Sequence, residues 1–117
     1  MRMLILVASA LVTLTTGTAV KAHAFLDHTE PRVGSTVATA PRELTLSYTQ
    51  NLEPAFSAVE VSDANGKRVD LGKPSINGAI MRVGLRPLPA GTYRVRWHVL
   101  SVDTHTTEGS FTFHVGQ

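Results

Sequence analysis

The stretch Tyr93-Arg94-Val95-Arg96-Trp97-His98-Val99 decides the fold. Its apolar residues fall at every second position, so Tyr93, Val95, Trp97 and Val99 point one way and Arg94, Arg96 and His98 the other. The turn Pro87-Leu88-Pro89-Ala90-Gly91 leads into it, and a last strand repeats the scheme with Phe111, Phe113 and Val115 against Thr112 and His114. Upstream, residues 43–49 present Leu44, Leu46 and Tyr48 on one face. Val59 and Val61 flank Glu60 in a run ending at Asp63-Ala64-Asn65-Gly66, where Asn-Gly is a hairpin signal because both positions tolerate positive φ. Ala79, Met81 and Val83 form a further alternating face, and shorter strands are expected at 24–26 and 33–37. No segment after residue 22 sustains a helical apolar period. The expected fold is therefore all-β, a Greek-key sandwich or barrel in one domain, with Trp97 in its core. Tyr93 is either an ordinary core aromatic or the hydroxyl anchor of a tyrosine corner.

Length and charge narrow the function. A chain of 117 residues allows one domain and excludes a large multidomain enzyme. Its 11 Lys+Arg exceed its 9 Asp+Glu, but Arg2 and Lys21 lie in the first 22 residues, which contain no acid. Residues 23–117 are formally neutral, so nucleic-acid binding loses its electrostatic basis. Arg2, the apolar run 4–12 broken only by Ser9, and the small and polar residues 13–22 read as a secretory signal peptide. That run is too short for a membrane span, which needs ~20 apolar residues. Residues 1–22 are thus expected to be removed, leaving 23–117 as an exported domain that is not membrane-inserted. Cleavage after Ala22 would expose His23; cleavage after Ala24 fits the A-x-A form more literally and would expose Phe25. Without cysteine, disulfides and thiolate chemistry are excluded.

There is no Gly-x-Ser-x-Gly elbow and no Gly-rich phosphate loop. His98 and His114 occupy the polar phase of their strands, and His28 sits before Thr29-Glu30-Pro31; all three read as surface imidazoles. His105 differs, because Ser101-Val102-Asp103-Thr104-His105 carries a carboxylate and an imidazole two residues apart. In an extended segment these side chains project to the same side and reach one ion. Two donors are too few for a tight transition-metal site. A new N-terminus at His23 would add its α-amine and Nδ1, which close a six-membered chelate ring. Three nitrogens and one oxygen suit tetragonal Cu(II). All the nitrogens must be neutral, so affinity falls as pH drops.

The chain resembles the CopC family of periplasmic copper-resistance proteins over nearly all of 23–117. The likeness rests on Pro31-x-x-Gly34-Ser35, Leu44-x-Leu46-Ser47-Tyr48, Leu88-Pro89-Ala90-Gly91-Thr92-Tyr93-x-Val95-x-Trp97, and Ser101-x-Asp103-x-His105-x-x-x-Gly109-x-x-x-Phe113. It implies a cupredoxin-like or immunoglobulin-like sandwich and cleavage after Ala22. It also implies one Cu(II) per mature chain, on His23, Asp103 and His105. The implied role is non-enzymatic: a periplasmic copper buffer or carrier that delivers to a CopD-like inner-membrane importer. Two features depart from the family pattern. Met81 alone remains once Met1 and Met3 are removed, and its strand phase reads as core, so no Cu(I) site is expected. Gln50 stands where members often carry a glutamate near the copper. Two other classes remain for comparison. A copper oxygenase with an N-terminal His needs an open equatorial position, which Asp103 would fill. A plain β-sandwich adhesion or assembly module would bind no stoichiometric copper.

Overall fold

A computed structural model describes residues 24–116; the expected signal segment 1–22 and His23 lie outside the described residues. The strands are β1 (Leu26–Glu30), β2 (Thr36–Val37), β3 (Glu43–Tyr48), β4 (Ala58–Ser62), β5 (Ser75–Asn77), β6 (Ile80–Gly84), β7 (Gly91–Leu100) and β8 (Thr106–Val115), with one 3₁₀ turn at Pro54–Phe56. They form two four-stranded sheets, ordered β1-β3-β6-β5 and β2-β8-β7-β4. All pairings are antiparallel except β2 with β8. The chain crosses between the sheets at every step from β1 to β5 and once more between β6 and β7, while β5–β6 and β7–β8 are hairpins within one sheet, and these crossings give the sandwich its Greek-key character. Among the described residues no helix is long and apolar enough to cross a membrane.

The inner faces follow the alternation. Leu44, Leu46, Tyr48, Met81 and Val83 come from one sheet; Val59, Val61, Tyr93, Val95, Val99, Phe111, Phe113 and Val115 come from the other. Tyr93 and Phe113 are register partners and stack with centroids 5.5 Å apart. Trp97, expected in the core, is only partly buried and packs against the core's margin, where it meets Tyr48 edge-on at 5.2 Å. Opposite Trp97 in the ladder sits Gly109, where a Cβ would approach the indole Cζ2 to 2.7 Å. Glycine is required there because the ring occupies the side-chain volume. The two core tyrosines differ: Tyr93 Oη donates to Pro89 O at 2.5 Å, the tyrosine-corner bond. The Tyr48 hydroxyl is buried without a partner among the described residues, and burial pushes its pKa up.

Several expectations need correction. The first strand is Leu26–Glu30 rather than 24–26; it is a polar edge strand with a register shift between Leu26 and His28, so it shows no clean alternation. The segment 33–37 is mostly turn, with Ser35 bonded back to Arg32 O, and only Thr36–Val37 pairs. The Asn65-Gly66 turn has positive φ only at Gly66; Asp63 Oδ1 closes it by accepting from the Asn65 and Lys67 amides, both at 2.9 Å. The last strand begins at Thr106, five residues before its first large apolar side chain, Phe111.

One buried carboxylate ties the edge of β4. Asp70 accepts from Val61 N (2.8 Å), Arg68 Nε (2.7 Å), Arg68 Nη2 (2.8 Å) and Gly72 N (3.1 Å). Burial works to raise its pKa, but Arg68 and the backbone amides outweigh it and hold the carboxyl below its ordinary range. Its folded pKa thus lies below the unfolded value of ~3.9, so its stabilisation is complete above that value and lost as pH falls through the folded one. Asp70→Asn is expected to cost about 2 kcal/mol at neutral pH in urea unfolding and to flatten the stability–pH curve below about pH 4. Gly109→Ala is expected to cost about 1–3 kcal/mol and to shift the Trp97 emission maximum, since the indole must move.

Candidate metal centre

Four segments close one end of the sandwich, and backbone hydrogen bonds hold them together. Thr49 N donates to Phe25 O at 2.9 Å, and Phe25 N donates to Thr49 Oγ1 at 3.0 Å. Leu52 N reaches Gly78 O at 2.9 Å, Glu53 N reaches Leu100 O at 2.8 Å, and Val102 N reaches Asn51 O at 3.0 Å. Ala24 is fully buried, and its carbonyl accepts from Thr107 Oγ1 at 2.8 Å. The start of the described chain is therefore fixed two residues beyond His105 along β8.

The turn between β7 and β8 carries the candidate donors. Ser101, fully buried, pins it at both ends: its N–H donates to His105 O at 3.0 Å, and its carbonyl accepts from Thr104 N at 2.8 Å. The Ser101 hydroxyl donates to Asp103 Oδ1 in a short bond. Thr104 is the sole non-glycine residue with positive φ (69°) among those described, an unfavourable conformation for a β-branched side chain. The segment is thus a tight turn, not the extended loop expected from the sequence. Within this turn His105 Nδ1 lies 3.3 Å from Asp103 Oδ1. Their side chains are 48% and 30% exposed, open enough to receive an ion. The Ser101 hydroxyl, against a smaller opposing effect of desolvation and with help from His105, keeps the Asp103 carboxyl below its usual range.

The structure brings Asp103 and His105 together; His23 lies outside the described residues, one position before the anchored Ala24. The other histidines stay apart. His28 pairs with Asp27 at 3.1 Å, His114 meets Thr92 Oγ1 at 2.9 Å, and His98 is exposed on β7 opposite Glu108. Among the described residues no three His, Cys, Asp or Glu side chains cluster. Gln50 is half-buried directly before Asn51, the residue that holds Val102. Met81 is fully buried in the core, as its strand phase implied. Ser101 and Thr107 were not singled out from the sequence as site residues. The signal for Ser101 was its place in the Ser-x-Asp-x-His motif; Thr107 had none, since its role depends on where Ala24 lies.

Known proteins resemble this chain in sequence and in fold. A family model described as CopC domain matches residues 26–116. Protein YobA of Escherichia coli K12 is 34% identical over 113 residues, covering 91% of each chain. The solved structure of PcoC, a methionine-rich copper resistance protein from Escherichia coli, superposes with a TM-score of 0.72 at 35% identity, covering 80% of this chain and 99% of that one. Copper transport protein CutJ of Bacillus subtilis is 33% identical over 100 residues, which are 82% of this chain but 18% of CutJ. The match spans both sheets and the Asp103–His105 turn, and on that ground the chain belongs to the CopC family of copper-resistance proteins.

Proposed function

We propose that residues 23–117, exported to the periplasm after removal of 1–22, bind one Cu(II) as cargo and buffer or carry it without catalysing a reaction. The ligands in this reading are the α-amine and Nδ1 of His23, the carboxylate of Asp103 and the imidazole of His105. The observation that carries it is the Asp103–His105 pair, 3.3 Å apart at an open end of the sandwich. Two donors at right angles on bonds of ~2.0 Å sit about 2.8 Å apart, so a small side-chain rotation lets both reach one ion. The donor chemistry supports the oxidation state. Nitrogen and oxygen suit Cu(II), while the one thioether among the described residues, Met81, is sealed in the core. The anchoring of Ala24 by Thr107 supports a contribution from residue 23, because it holds the chain just after that residue beside the turn.

Delivery to a CopD-like inner-membrane importer completes the reading. Its support is CutJ, in which a region like this chain makes up 18% of a longer protein named for copper transport. In that relative the region similar to this chain and the rest of a copper transport protein share one polypeptide.

Titration of the purified exported protein with Cu(II) against a competing chelator tests the site. One equivalent is expected to bind, with nitrogen hyperfine structure in the paramagnetic resonance spectrum. His23→Ala, Asp103→Ala and His105→Ala should each lower affinity by ~100-fold or more, and Ser101→Ala by ~10-fold or more through a loosened Asp103. Wild-type affinity in both His23→Ala and Asp103→Ala would overturn the ligand assignment.

A further inference from the structure

The end of the sandwich that carries Asp103 and His105 has two properties that metal ligation does not require. The first is apolar exposure. Five large hydrophobic side chains are exposed among the described residues, and three of them, Phe25 (55%), Phe56 (65%) and Val102 (50%), belong to this end. Phe25 is tied to Thr49, and Val102 to Asn51 two residues further on. Phe56 closes the 3₁₀ turn between Glu53 and Ser57, both of which bond to Leu100. The three therefore surround the same loop cluster, although they are far apart in sequence.

The second is charge. The segments that build this end, 24–28, 49–58, 77–80 and 98–108, contain the carboxylates of Asp27, Glu53, Asp103 and Glu108 and no Lys or Arg. Every Lys and Arg of the described residues lies between Arg32 and Arg96, and three of them, Arg68, Lys73 and Arg96, border this end along a groove shared with Pro54, Ala55, His98 and Glu108. A chain that is neutral from residue 23 onward is thus polarised along its length, with the candidate metal end negative.

We propose that this end is a docking face, on which Phe25, Phe56 and Val102, set among carboxylates, seat a copper-transport protein whose matching surface is an apolar patch bordered by Lys and Arg. The partner's class rests on the function proposed above; the face itself is an independent inference. Charge selects the occupant. With Asp103 engaged by the ion, a second copy presenting the same end would still set Asp27, Glu53 and Glu108 against the same three carboxylates, and an anionic membrane surface would repel them as well. A basic rim attracts them and orients the encounter before the apolar groups meet. Three anchors on one end of a domain this small make a contact of the transient class, under ~1,200 Å² in total, which suits a carrier that must leave after handing over its ion.

Site-specific photo-crosslinking in the native cells tests this. p-Benzoylphenylalanine is placed in turn at Phe25, Phe56 and Val102, with Val33 and Leu71, the other exposed apolar positions, as controls. Adducts from the first three are expected to converge on one membrane copper-transport protein, through peptides that include Lys or Arg. The controls should give none, and Asp27→Asn/Glu53→Gln/Glu108→Gln should lower adduct yield severalfold. Adducts with a second copy of the chain, with lipid or with an acidic peptide would overturn the proposal, as would equal yield at the controls or no adduct at all. Cu(II) titration of the same proteins separates the two readings. A wild-type chain that binds no Cu(II) sinks the copper function, whereas Cu(II) binding without an end-specific adduct sinks the docking face alone.

Discussion

The ladder between β7 and β8 pairs ten residues of each strand, from Gly91 with Val115 to Leu100 with Thr106. Because paired residues share a face, this register commits both strands at once. Tyr93, Val95, Trp97 and Val99 turn inward together with Phe111, Phe113 and Val115. A slip of one residue would drive Arg94, Arg96 and His98 into the core, so the alternative is closed by the cost of burying charge. The same register sets Gly109 against the Trp97 ring and turns Thr107 inward to the Ala24 carbonyl. It leaves only residues 101–105 to connect the strands, and so few residues must turn tightly. The position of Asp103 and His105 at the sandwich end is a consequence of that pairing.

Strand phase was legible because burial of one face writes period two directly into the sequence, as in Leu44-Thr45-Leu46-Ser47-Tyr48. The first half of β8 was not legible. Its inward positions are Thr107 and Gly109, filled for a hydrogen bond and for ring space, and neither requirement is visible without the partner residue. Asp70 likewise reads as a loop acid until Val61, Arg68 and Gly72 are seen to surround it. At the candidate site the Asp-x-His pair could be read, but its geometry could not. Convergence of the two side chains comes from the Thr104 turn and from Ser101, whereas an extended segment was expected. Met81 illustrates the opposite case, where phase alone was enough to place a side chain in the core.

A small domain without cysteine needs long-range ties other than disulfides. Here they are side-chain bonds to distant backbone groups. Ser57 Oγ accepts from Leu100 N across 43 residues, Thr107 Oγ1 donates to Ala24 O across 83, and Asp70 accepts from Val61 N across 9. Each contributes only about 1 kcal/mol net, yet each satisfies a polar group that would otherwise be costly to bury. Two of the three lie at the end that carries Asp103 and His105, so the ties that hold the fold also hold the loop cluster in place.

The described chain enters the sandwich at Ala24, beside Thr107, and leaves it at Gly116, whose amide is bonded to Val37 O past the far end of β8. Entry and exit are therefore at opposite poles of the molecule. Any attachment through the C-terminus, whether to a purification handle, a sensor surface or a fusion partner, leaves the Asp103–His105 pole facing outward. The same attachment made upstream of Ala24 would emerge from that pole and crowd it. For handling this protein, the choice of terminus is a choice of which face remains accessible.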